Sequence, residues 1–173
     1  MATMTMTRAV DELEIGRWLA AARGTIANVQ HCWLATQSLE GGANARAVRI
    51  NPAAPGSDEW TRRFICRRDS RKVCEIRLQP RVTLAYQTET CDAYVALGGT
   101  ARLLENRAEM RSMWPDSADS FFPDGFADAD MIAVRVDVDR IELHVRGVTR
   151  EPFGHGRSAV ERTEDGAWRF VPA

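Results

Sequence analysis

The chain has 173 residues, 45% hydrophobic and 27% charged, a balance that can bury a core and excludes a disordered or fibrous chain. Its 23 Lys plus Arg against 24 Asp plus Glu give a net charge of -1, so no bulk field recruits nucleic acid or anionic lipid, and any anion must be bound locally. The length predicts a single domain over residues 1–173, and no apolar run reaches signal-peptide or membrane-span length, which points to a cytoplasmic protein with reduced thiols.

In chain order, residues 8–24 read as a leading amphipathic helix with Val10, Leu13, Leu19 and Ala20 inward, ended by Gly24. Residues 30–38 and 45–51 then read as two antiparallel strands about a Gly41-Gly42 turn. A third strand spans 60–67 with Phe64 and Cys66 on one side. Asp69-Ser70 caps a short helix whose inner stripe is Val73, Ile76 and Leu78, ended by Pro80. Strands follow over 81–88 and 93–104, the latter with a bulge or bend at Gly98-Gly99. A helical stretch over 106–114 leads into a loop, residues 115–130, that carries Phe121, Phe122 and Gly125. A final hairpin, 133–138 and 140–148, turns about Asp137-Val138-Asp139, and residues 150–173 form a polar C-terminal tail. The fold class is therefore β-rich α+β: six or seven antiparallel strands forming a small barrel with short peripheral helices. The absence of a GxGxxG after a strand, and of regular strand–helix alternation, argues against a dinucleotide fold.

The four cysteines form no CxxC pair and no zinc-ligand spacing is present, so no metal site is expected and the thiols read as small core residues. His31, beside Trp33 on a presumed buried strand, reads as a structural histidine.

The segment Phe64 to Lys72 carries the strongest chemical signal. A strand handing over to a helix N-terminus presents free N–H groups and the positive end of the dipole, and Ser70, Arg71 and Lys72 add a hydroxyl and two cations there. Arg71 can fork across two phosphate oxygens while Lys72, the only lysine, acts as a compact charge. The competing reading is an exposed basic helix start. Upstream, alternation places Arg46 and Val48 on one face of a strand and Ala47 and Arg49 on the other, so a further cation lies beside apolar surface. Its competing reading is a solvated strand face.

In order, Arg46-Ala47-Val48, Ser70-Arg71-Lys72, the run Gln79 to Leu84 and the strand Tyr94 to Leu103 with Gly99 resemble the pyridoxamine 5'-phosphate oxidase-like split-barrel flavoproteins, from about Trp33 to about Gly147. Met113-Trp114, Phe121 to Gly125 and Asp128-Ala129-Asp130 are most similar to the general stress protein 26 branch. The resemblance implies a homodimer with FMN, or FAD, at the subunit interface, the flavin phosphate held by Arg46, Arg71 and Lys72 with Ser70 and the backbone of Ala47 and Val48. It places Ile65 and Cys66 under the flavin, where the family often has a threonine in place of Cys66, and puts His144 where a tryptophan is common.

The Arg-Leu-His-Asp-Arg type signature of true pyridoxamine phosphate oxidases is missing, so vitamin B6 oxidation is not expected. The implied function is FMN-dependent oxidoreduction with a small-molecule electron donor or acceptor. The alternative is a stress protein that binds flavin without turnover. Flavin chemistry requires no side-chain acid or base, and no catalytic residue is assigned. Neither nucleic acid nor membrane is an expected partner.

Overall fold

The computed structural model describes residues 2–51, 56–114, 122, 124–127, 129–151, 156 and 158–171, with side chains from residue 9 onward. Its elements in chain order are α1 (Ala2–Ala27), β1 (His31–Gln37), β2 (Ala43–Arg49), β3 (Arg62–Arg67), α2 (Arg71–Leu78), β4 (Arg81–Gln87), β5 (Ala93–Leu104), α3 (Arg107–Arg111), β6 (Met131–Val145), β7 (Ala159–Arg162) and β8 (Trp168–Phe170). The sheet is 8-stranded, in the order β2-β1-β4-β5-β6-β7-β8, with β3 paired to β6. Pairing is antiparallel at β3–β6, β6–β7 and β7–β8. The expected β-rich α+β class is the one observed. Among the described residues the hydrogen-bonded path does not return to its first strand, so the barrel expected from the need to protect edges is not a closed one.

The chain divides into two compact units. One comprises Met1–Cys32, Leu84–Gly98 and Asp139–Ala173; the other comprises Trp33–Thr83 and Gly99–Val138.

In the first unit, α1 is longer than predicted and presents another stripe. Ile15, Trp18, Ala22 and Thr25 are buried, whereas Val10 and Leu13 are exposed. Trp18 decides the face, because the largest apolar group gains most from burial, and its ring meets Phe170 edge-on at 4.9 Å. Gly24 does not end the helix, since an interior glycine costs only about 1 kcal/mol. The predicted polar tail is instead the β7–β8 hairpin, with Val160 paired to Phe170 and buried.

The predicted final hairpin is one continuous strand, β6, of 15 residues. Asp137-Val138-Asp139 offers no residue of positive φ for a tight turn. What the sequence shows there is a phase shift, since Ile132, Val134, Val136 and Val138 are buried and then Ile141 and Leu143.

In the second unit, Gly41 and Gly42 turn the β1–β2 hairpin with φ of 94° and 75°, a region that disfavours residues with a Cβ. Thr36 and Leu34 on β1 are buried and Trp33 is 58% exposed; His31, at the start of β1 in the first unit, is exposed, so its predicted buried setting is wrong. Gly99 marks a close approach within a continuous β5, because a Cβ there would lie 2.5 Å from the Asp137 carbonyl oxygen. A separate cluster of Met110, Met113, Phe122, Met131 and Ala133 packs with Ile65, Leu104, Trp114 and Phe126. Phe121 lies outside the described residues, as do residues 52–55 and 115–120.

Candidate functional site

The site is built where β3 hands over to α2. β3 alternates as predicted, with Phe64 and Cys66 buried and Ile65 half-buried on the other face toward Ala133 of β6. After Arg67 the chain turns, Ser70 N–H donating to the Arg67 carbonyl, and α2 begins at Arg71. Ser70 occupies the N-cap position but its side chain makes no capping bond; the hydroxyl donates back to the Arg67 carbonyl at 2.7 Å. The first acceptor the helix supplies is the Ser70 carbonyl, taken by Val73 N–H at 2.9 Å. Among the described residues the N–H groups of Arg71 and Lys72 therefore have no carbonyl partner, the condition in which a helix start can receive an anion.

The surrounding cations differ in their engagement. Arg67 pairs with Asp69 at 3.3 Å and Asp130 at 3.2 Å, and Arg68 with Glu105 at 2.9 Å. Lys72, half-buried, has no ion pair among the described residues. Its charge acts on Cys66. Burial pushes the Cys66 thiol up, and the Lys72 charge and a hydrogen bond from Ser70 offset this only in part. Cys66 therefore keeps its proton at neutral pH and is no thiolate nucleophile.

On β2, Arg46 is half-buried, Val48 buried, and Ala47 and Arg49 exposed, as the alternation predicts. Arg46 is far from a solvated strand residue. Its Nη2 donates to Glu75 Oε2 at 2.8 Å, and its Nη1 to Thr36 Oγ1, to the Asn44 carbonyl at 3.2 Å and to the Leu34 carbonyl at 3.5 Å. Arg71, with its side chain 72% exposed, places Nε 3.7 Å from Glu75 Oε1. Arg46 and Arg71, chosen from two distant segments, thus meet at one carboxylate.

Sequence reasoning missed Glu75. It is 1% exposed, on the inner side of α2 with Val73 and Ile76, while the predicted inward Leu78 is 74% exposed. Burial alone raises a carboxyl, but hydrogen bonds from Thr36, Asn44 and Arg46, with the Arg46 charge, outweigh it and hold Glu75 below the usual range. No local signal marks it, because its partners Thr36, Asn44 and Arg46 come from the β1–β2 hairpin.

Tyr94 and His144 stack at 6.4 Å within the first unit, both partly exposed. Cys32 and Cys66 are buried as expected, whereas Cys74 and Cys91 are exposed. Among the described residues no group of three or more His, Cys, Asp or Glu is placed to hold a metal, and no helix is long and apolar enough to cross a membrane.

Residues 20–145 match the family described as pyridoxamine 5'-phosphate oxidase like. No curated protein matches the chain. Among solved structures it is similar to a protein from Clostridium acetobutylicum related to general stress protein 26 of B. subtilis, with 18% identity, 75% of this chain and 89% of that one covered, and a TM-score of 0.65. A pyridoxamine 5'-phosphate oxidase-related, FMN binding protein of Nostoc punctiforme matches at 16% identity over 92% and 95% of the chains, with a TM-score of 0.59. The general stress FMN/FAD binding protein of Xanthomonas citri matches at 17% identity over 69% and 81%, with a TM-score of 0.58. At such identities these structures establish the shared fold, and the family match covers most of the sequence. The chain belongs to the pyridoxamine 5'-phosphate oxidase-like family.

Proposed function

We propose that this protein is an FMN-dependent oxidoreductase of the cytoplasm, binding its flavin at a homodimer interface. The observation that carries the reading is the corner at Ser70–Lys72, where two helix-start N–H groups without a carbonyl partner and a lysine without an ion pair, among the described residues, stand together within a family whose Nostoc relative is named as FMN binding. These groups fit a terminal phosphate dianion: it accepts from N–H donors and neutralises Lys72 and Arg71, with Arg46 beside them.

In this reading Arg46, Arg71 and Lys72 hold the phosphate, and Ser70 and the backbone of Ala47 and Val48 assist. Ile65 and Cys66 lie next to the ring system, where the Cys66 S–H is a weaker hydrogen-bond donor than the threonine hydroxyl it replaces. The flavin, when bound, supplies hydride or electron transfer, and the protein supplies binding, orientation and tuning. The exposed Trp33 on β1 and Ala47 on β2 offer apolar surface for a second copy to cover.

Flavin binding without turnover is a second reading, favoured by the name of the Xanthomonas relative, which specifies FMN/FAD binding in general stress. One experiment addresses both. Freshly purified protein should show the blue flavin absorption band, and anaerobic NADH or NADPH should bleach it. A flavin band that neither nucleotide bleaches supports binding alone, and a Soret band or a colourless protein that ignores added FMN overturns both readings.

A further inference from the structure

The corner just described contains a group that a phosphate seat does not obviously want. Glu75 brings a full negative charge to within ion-pair distance of Arg46 and Arg71, two of the cations assigned to the phosphate. A carboxylate beside an anion opposes its binding by simple Coulomb repulsion, and burying one is costly unless its oxygens are satisfied. Here they are satisfied. Oε2 accepts from Thr36 Oγ1 at 2.5 Å and Arg46 Nη2 at 2.8 Å, and Oε1 accepts from Asn44 Nδ2 at 2.5 Å.

The pattern of those bonds is informative. Thr36 Oγ1 donates to Glu75 and accepts from Arg46 Nη1, closing a ring of three side chains from α2, β1 and β2. With Nη1 also donating to the Asn44 and Leu34 carbonyls, acceptors within the fold hold the guanidinium of Arg46 through Nη1 and one side of Nη2. A guanidinium is a planar fork of five donors, so fixing one edge aims the donors that remain. The same carboxylate reaches the otherwise exposed Arg71 through Nε, on the edge of its fork away from the two terminal nitrogens. Glu75 therefore touches both cations at positions that leave Nε of Arg46 and the terminal nitrogens of Arg71 without a hydrogen-bond partner among the described residues.

Resting on the flavin reading above, we propose that Glu75 is the positioning residue of the phosphate seat: it holds Arg46 and Arg71 so that their free donors converge on a terminal phosphate monoester, and thereby sets the preference of this chain for a phosphorylated flavin over the free riboflavin. The repulsion it adds is offset because both cations are already oriented when the phosphate arrives, and ordering two long side chains at the moment of binding is avoided. Glu75 contacts neither flavin nor phosphate in this role.

A purely structural Glu75, tying α2 to the β1–β2 hairpin, would affect all ligands alike. The test is fluorescence titration of the full chain with FMN and, separately, with riboflavin, for wild type, Glu75→Gln and Thr36→Val. The glutamine keeps the shape but gives up the charge, and the valine removes only the hydroxyl that bridges Glu75 and Arg46. Wild type should prefer FMN by about 100-fold, and Glu75→Gln should cut that preference about tenfold by weakening FMN while leaving riboflavin unchanged. Thr36→Val should move the ratio in the same direction by a smaller factor, and it carries the test if Glu75→Gln does not fold. Unchanged FMN to riboflavin ratios in the variants, equal losses for both flavins, or tighter FMN binding by Glu75→Gln would overturn the role of Glu75. A wild type with no preference for FMN would overturn the phosphate seat itself.

Discussion

The two faces of β3 lead to two arginine-rich regions built on opposite terms. On the Ile65 face, α3 and the segment around Phe126 close over Met110, Met131 and Ala133, and the nearby cations serve the packing. Arg107 and Arg111 lie over the Phe126 ring at 4.7 Å and 4.2 Å, and Arg107 also donates to the Phe126 carbonyl. On the Cys66 face, α2 starts beneath cations that are held by a buried carboxylate or, for Lys72, by nothing among the described residues. The difference teaches where to look for a ligand. Cations that lie over an aromatic ring serve packing, whereas Lys72 and the largely exposed Arg71 stand beside open helix-start N–H donors.

The comparison breaks most visibly under Phe122→Ala. Removing a buried aromatic ring should lower unfolding stability by about 3 to 4 kcal/mol in urea titrations while FMN affinity per folded molecule stays unchanged. The converse substitution, Arg71→Ala with Lys72→Ala, should weaken FMN binding by about 3 kcal/mol in calorimetric titration and leave stability within about 0.5 kcal/mol, because both side chains serve a ligand more than the fold. A double variant that binds FMN as wild type does would place the phosphate elsewhere.

Acid sharpens the contrast further. Glu75 is held below its ordinary pKa in the folded chain, so it contributes stability above the usual carboxylate range, and that contribution is lost as pH falls through the depressed folded value. Urea midpoints measured from pH 7 down to pH 3 should fall less steeply in Glu75→Gln than in wild type; parallel curves would mean the carboxylate is not specially stabilised. Smallest is the effect of Asn106→Ala. This residue caps α3 by accepting from the Ala108 and Glu109 N–H groups, and its loss should cost about 1 kcal/mol in thermal unfolding with no effect on flavin.

How much of this was legible in the sequence follows from which interactions are local. β1, β2, β3, β4 and α2 were readable because alternation, a Gly-Gly turn and Pro80 act within a few residues. The handover at Ser70 was readable for the same reason. Glu75 was not, since its burial depends on Thr36, Asn44 and Arg46, which arrive from a hairpin some 30 to 40 positions earlier. On α1 two stripes were available, and the buried one packs its Trp18 against Phe170, at the far end of the chain. Asp137 and Asp139 mimic a turn, yet both lie within the continuous β6, where Arg135 and Arg102 engage Asp137 at 2.7 Å and 3.4 Å.

The claim on which the account turns is that a phosphate is bound at the α2 start. Titrating the cofactor-free wild-type chain calorimetrically with FMN at low and at moderate salt tests it most directly. The account predicts tight one-to-one binding per chain that weakens as salt rises, because Lys72 and Arg71 meet a dianion near solvent. Binding that is absent, or present and indifferent to salt, would contradict it.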